Sequence, residues 1–176
     1  MADMLTLDLV DKGLVTNQIV IDVGYDIDNL SDPHRSARYN GPIVKDYYGR
    51  SVPKTVHGTV NLDEYTSSTK KILQAVTDFY DQSVNFALLV RRLNIVANRV
   101  IPEADAPQKN GGCEQLDFFT DYAALDANRE KEQEELEREK KRQQAVLAIK
   151  KKFGKNSILK GMSLEDGATA KDRNTI

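Results

Sequence analysis

The 176-residue sequence is 30% charged with a formal net charge of -2, which describes a soluble, near-neutral protein whose nucleic-acid contacts would have to come from local patches and not from bulk charge. Cys113 is the single cysteine, which excludes an internal disulfide and a cysteine-rich metal site. No stretch approaches the roughly 20 apolar residues of a membrane span, and the N-terminus lacks a basic region followed by an apolar run and a cleavage site, so a cytoplasmic protein with no membrane partner is expected.

From Ala2 to Val15, Ala2, Met4, Leu5 and Leu9 recur at three- and four-residue spacing against Asp3, Asp8, Asp11 and Lys12, which predicts a helix stopped by Gly13. Gln18 to Tyr25 alternates: Ile19, Ile21, Val23 and Tyr25 on one face, Gln18, Val20, Asp22 and Gly24 on the other, a strand. Residues 26–53 form a long polar insertion loop rich in turn residues, carrying Arg35, Arg38, Lys45, Tyr47, Tyr48 and Arg50. Basic residues interleaved with tyrosines fit the tracking of a phosphate backbone, and the same composition fits a solvated hairpin tip.

Alternation returns over Lys54 to Leu62, with Val56, Val60 and Leu62 facing a core and Thr55, His57, Thr59 and Asn61 facing away. Tyr65, Thr66, Ser67 and Ser68 supply capping oxygens for a helix whose stripe is Ile72, Leu73, Val76, Phe79 and Tyr80, ending near Gln82. Val90 to Val100 is a third strand, with Leu93, Ile95 and Ala97 inward and Arg92, Asn94 and Asn98 outward. The fold class is therefore α+β, an antiparallel sheet with two helices on one face. Its other face is polar, able to meet phosphates and sugars without reading sequence, and equally able to be a plain wet face.

The domain organisation follows from composition. Residues 1–101 form the folded unit, 102–121 a linker, 122–152 a long charged helix, and 153–176 a polar tail expected to be mobile. In the helix, Glu134 precedes Arg138 and Glu137 precedes Lys141 by four residues, with acids early and Lys150, Lys151 and Lys152 late, which suits the helix dipole. Without a heptad in its first half, and with only a short apolar patch at Ala145, Val146, Leu147 and Ile149 near its end, it reads as a solvated single helix, with contact of its basic end to DNA phosphates as the alternative. The linker carries Gln115, Leu116, Asp117, Phe118 and Phe119. Three large apolar side chains on a loop either cover their own domain or fill a partner's pocket. His34 and His57 read as ordinary surface histidines, and no nucleophile, phosphate-loop or metal-ligand constellation is present in the sequence.

Gln115 to Phe119 resembles the bacterial sliding-clamp-binding peptide, in which the Gln amide takes one subsite and the Leu and the last two apolar residues fill a hydrophobic cleft. Phe118 stands where that family usually has Leu. Upstream, Leu7 to Tyr25, Lys54 to Gln82 with Thr66-Ser67-Ser68-Thr69, and Val90 to Ile95 resemble the little-finger domain of Y-family translesion DNA polymerases, particularly the UV-damage-repair branch of Gram-positive bacteria. The tail segments Lys152 to Asn156 and Leu164 to Ala168 are also similar to that branch.

The resemblance implies a little-finger-like fold lacking its first strand and a DNA-binding, clamp-tethering C-terminal region of an error-prone polymerase of DNA repair and damage tolerance. The partners it implies are primer-template DNA and the bacterial sliding clamp. The DNA-binding set would be His57, Thr59, Asn61, Ser67, Ser68, Arg92, Asn94 and Asn98, and the clamp-binding set Gln115, Leu116, Asp117, Phe118 and Phe119. No catalytic residue and no cofactor are expected in this chain, because the palm carboxylates that hold Mg in such polymerases precede the little finger. The missing strand would leave an open sheet edge, through which a homodimer could form. Two alternatives remain: a stand-alone clamp-binding adaptor without a DNA role, and a small α+β enzyme using His57 or Asp22 as acid or base.

Overall fold

The computed structural model describes residues 1–107 and 122–174. Helix α1 (Ala2–Asp11) buries Ala2, Thr6 and Leu9, and the chain leaves it through Gly13, whose φ of +63° is the left-handed step that glycine takes without a Cβ penalty. Strand β1 (Leu14–Tyr25) follows directly and is the centre of the molecule. Two single-turn helices, α2 (Asp28–Ser31) and α3 (Pro33–Ser36), lead to a hairpin of β2 (Ile43–Lys45) and β3 (Ser51–Pro53). Strand β4 (Val56–Thr66), helix α4 (Thr69–Ser83) and strand β5 (Val90–Asn98) complete the body, and β6 (Ile101–Pro102) pairs with the start of β1. Beyond it lie α5 (Tyr122–Phe153) and α6 (Ala170–Arg173).

The main sheet is antiparallel, in the order β4–β1–β5, so the molecule is α+β. Ile19, Ile21 and Val23 on β1 are fully buried, and Leu9 of α1 with Ile72 and Val76 of α4 join them in one core. Val56, Val60 and Leu62 of β4 and Leu93, Ile95 and Ala97 of β5 flank that core. The alternation read from the three strands thus puts the expected side chains inward. Gly58 marks a close approach: a Cβ there would lie 2.2 Å from the Phe79 ring, so only glycine lets α4 come down on β4.

Several expectations need revision. The insertion loop 26–53, read as an extended excursion, is fixed at its start by Asn29: its amide donates to the Asp26 and Leu89 carbonyls, both at 2.9 Å, and accepts from the Leu89 N–H at 2.8 Å. This buried side chain satisfies its polar atoms on backbone at the entrance to β5, so the excursion is tied to the sheet. Helix α5 does not stand alone in solvent. Gln143 is only 7% exposed and donates to the Ser67 carbonyl at 3.0 Å and to the Thr69 hydroxyl at 2.9 Å. The tail beyond it is partly anchored, with Lys160 paired to Asp3 at 2.5 Å and the Asn156 amide donating to the Lys171 carbonyl.

Candidate functional site

The antiparallel register assembles the solvent-facing side of the sheet into rows. Gln18 lies between Asn61 and Asn98, Val20 between Thr59 and Val96, and Asp22 between His57 and Asn94, while Gly24 lies opposite Arg92. Six of the eight residues expected to contact DNA, His57, Thr59, Asn61, Arg92, Asn94 and Asn98, therefore share one face. The first row is a belt of amides: Asn98 donates to Gln18 at 3.5 Å, and Gln18 donates to Asn61 at 2.8 Å. That bond occupies the Asn61 carbonyl oxygen and leaves its two N–H donors outward of the belt. Arg92 supplies the permanent positive charge of these rows, its guanidinium 3.6 Å from the Asp22 carboxylate.

Gln18 and Asp22 were missed as site residues, although the period of two already put them on the polar face. What alternation could not reveal is that both sit in the middle strand, where each touches residues from both sides. Asp22 places a negative charge at the centre of a surface whose other members are amide, hydroxyl and imidazole side chains, the apolar pair Val20 and Val96, Gly24 and one arginine.

Ser67 and Ser68 do not belong to this face. From Asn61 to Thr66 β4 advances five positions while β1 moves two, from Gln18 to Thr16, and this irregularity turns the chain away from the paired rows. Ser68 then caps α4, accepting from the Lys71 N–H at 3.3 Å, and is buried. Its hydroxyl donates to Glu139 of α5, whose other carboxylate oxygen accepts from the Lys70 N–H at 3.0 Å. Lys70 pairs with Glu135 at 3.3 Å; Lys71 pairs with Glu132 at 2.6 Å and also with Glu64. Partial burial works to lower the Lys71 pKa, but hydrogen bonds to Glu132 and Glu64 outweigh it and hold the ammonium above the ordinary lysine range. The acidic side of α5 thus occupies the start of α4, where an anion is favoured by the unpaired N–H groups and the helix dipole.

A relay of hydroxyls completes this junction. Gln143 donates to Thr69, Thr69 shares a 2.9 Å bond with Thr6, and Thr6 donates to the Asp3 carbonyl at 3.0 Å. Because Thr6 uses its proton on Asp3, the Thr69 hydroxyl must be the donor between them. One chain of bonds links α5, α4 and α1.

The hairpin tip is locked by Asp46. Its carboxylate accepts from the N–H groups of Tyr48 and Arg50, both at 2.9 Å, and pairs with the Arg50 guanidinium at 2.7 Å. That guanidinium bond is the largest effect and, with the two backbone donors, outweighs the opposing effect of desolvation and holds the Asp46 carboxyl below the ordinary carboxylate range. A depressed pKa means the lock stabilises the tip above the unfolded carboxylate value and is lost as pH falls through the folded one. Protection of the Tyr48 and Arg50 amides, taken as exchange relative to the intrinsic rate at the same pH, is expected to hold at neutral pH and to fall as the pH drops below the ordinary carboxylate value of about 4, ahead of any change in the sheet.

Gln115, Leu116, Asp117, Phe118 and Phe119 lie outside the described residues. No helix among the described residues is long and apolar enough to cross a membrane. No family model matches this sequence, and neither a curated protein nor a solved structure matches it.

Proposed function

We propose that this chain is a DNA-binding and clamp-tethering module, the C-terminal region of a translesion DNA polymerase of damage tolerance. The reading is supported by one observation above the others: three antiparallel strands bring Asn61, Thr59, His57, Asn94, Asn98 and Arg92 onto a single exposed face, with the core and both main helices behind it. Amide, hydroxyl and imidazole groups of this kind meet phosphate and sugar oxygens and carry no sequence preference. The little-finger-like fold without its first strand, followed by a long charged helix, belongs to the same proposal. So do the clamp-binding role of Gln115, Leu116, Asp117, Phe118 and Phe119, the cytoplasmic setting, and the assignment of Mg chemistry to a palm elsewhere in the parent enzyme. A weak, sequence-independent grip gains from a tether, because attachment to the clamp converts DNA binding into a local event. The outer edges of β4 and β5 carry no paired strand among the described residues, and pairing of two copies there is the homodimer this reading allows.

Titration of the chain against duplex DNA at several salt concentrations tests the proposal. With Arg92 as the permanent cation of the rows, log K is expected to fall with log salt at a slope of about -1, and Arg92→Ala to bring that slope close to zero. Asp22→Asn, which removes the central negative charge, is expected to tighten binding by up to about fivefold. In a second arm, changing Gln115, Leu116, Phe118 and Phe119 together to Ala is expected to abolish calorimetric binding to the purified clamp. Equal duplex affinity for wild type and Arg92→Ala would count against the sheet face, and equal clamp affinity for the fourfold variant against the tether.

A further inference from the structure

The β2–β3 hairpin has no part in the sheet-face reading, yet it is the most conspicuous exposed feature of the molecule. Tyr47 is 97% exposed and Tyr48 76%, and their phenol groups make no hydrogen bond among the described residues. They pack edge to face, with ring centroids 5.4 Å apart and planes at 88°. The Arg50 guanidinium lies 5.1 Å from the centroid of Tyr48. Such rings would be free to swing on an unstructured loop, but here the Asp46 lock and the backbone bonds of Asp46 N–H to the Arg50 carbonyl and Gly49 N–H to the Asp46 carbonyl fix the tip. Two large flat side chains are thus held out in water with nothing of their own to cover.

The charge around them selects the partner. Arg35 and Arg50 of this excursion pair with Asp32 and Asp46, while Arg38, Lys45 and the adjoining Lys54 have no ion pair among the described residues, within a chain whose net charge is negative. Arg35, Arg38, Lys45 and Lys54 are exposed. The hairpin also leads without interruption into β4, with Thr55 beside Gly24, at the Arg92 end of the polar face. Exposed aromatic faces among lysines and arginines, continuous with a surface of phosphate-seeking donors, match a strand whose bases are unpaired and can stack.

We infer that the hairpin is a stacking site for single-stranded nucleic acid, with Tyr47 and Tyr48 taking bases and Arg38, Lys45 and Lys54 the flanking phosphates. This rests on the nucleic-acid reading of the sheet and extends it from duplex backbone to an adjoining unpaired segment. The test is equilibrium binding of the full chain to a short oligothymidylate and to an abasic oligonucleotide of equal length, with duplex DNA in parallel. The chain is expected to prefer oligothymidylate over the abasic strand by about tenfold or more, the contribution of a stacked base. Tyr47→Ala with Tyr48→Ala removes that preference and leaves abasic affinity unchanged, whereas Tyr47→Phe with Tyr48→Phe retains it, since stacking needs the ring and not the hydroxyl. With no tryptophan in the chain, quenching of tyrosine emission by oligothymidylate gives a direct second readout. Equal affinity of the wild type and the double-alanine variant for oligothymidylate overturns the site, as does equal wild-type affinity for the two strands. Duplex binding without oligothymidylate binding overturns the site alone, and failure of both overturns the nucleic-acid reading with it.

Discussion

Ile21→Ala is expected to lower stability by about 2–5 kcal/mol, the range for deleting most of a buried aliphatic side chain whose surroundings relax only in part. Ile21 is fully buried on the central strand, opposite Gly58 of β4 and Ile95 of β5, and joins the core that includes Ile72 and Val76 of α4. Both neighbouring strands hold it in register, so little collapse into the vacated space is possible. Urea denaturation followed by circular dichroism measures the loss, and a midpoint unchanged from wild type would mean that β1 is not the core strand. A small domain has only about 5–15 kcal/mol of net stability, so this one substitution removes a large fraction.

Release of α5 is the second large effect. Glu139 accepts from the Ser68 hydroxyl and the Lys70 N–H, and Gln143 donates to the Ser67 carbonyl and the Thr69 hydroxyl. Changing both to Ala strips four hydrogen bonds from the junction. Two of them involve a carboxylate, each worth about 1.5–3 kcal/mol. Of the ion pairs that remain among the described residues, Lys71 with Glu132 at 2.6 Å is partly buried on the lysine side, while Lys70 with Glu135, Lys140 with Glu103 at 2.6 Å and Lys151 with Asp11 are exposed and individually contribute at most about 1 kcal/mol. The double variant is therefore expected to undock α5 while the sheet stays folded. Amide exchange should show protection lost near Ser68 to Lys71 and over α5, with β1 unchanged; protection retained at all of these positions would show that the polar junction does not hold the helix.

The strands were legible because one face of each is buried, and a period of two then records the environment residue by residue. Ile19, Ile21 and Val23 inward and His57, Thr59, Asn61, Asn94 and Asn98 outward follow from that alone. The rows across the sheet were not legible. Placing Asp22 between His57 and Asn94 requires knowing which strand is central, and that depends on contacts between residues more than 30 positions apart. The docking of α5 left only a faint apolar signature, the short patch Ala145, Val146, Leu147 and Ile149 near its end, because Glu139 and Gln143 hold it through polar atoms and the helix otherwise keeps the composition of a solvated one. Ser68 could be read as a cap, which it is, but its simultaneous bond to Glu139 lies 71 residues away in the chain. The hairpin strands, three residues each, are too short for alternation to show.

The placement of α5 also changes which charges can act on DNA. Lys70 and Lys71 are engaged by carboxylates of α5 and of β4, so neutralising them would disturb the junction and report little about the sheet. Arg92 is the informative position, since among the described residues its only acidic neighbour within salt-bridge distance is Asp22 on the same face.

The most direct measurement is a titration of isotopically labelled chain with a short DNA duplex, followed through backbone and side-chain amide resonances. The sheet-face account predicts that shifts concentrate at His57, Thr59, Asn61, Arg92, Asn94 and Asn98, including the side-chain amides of Asn61, Asn94 and Asn98, with Ser67 and Ser68 unmoved beneath α5. Shifts confined to the lysines at the end of α5, or none at saturating duplex, would contradict it.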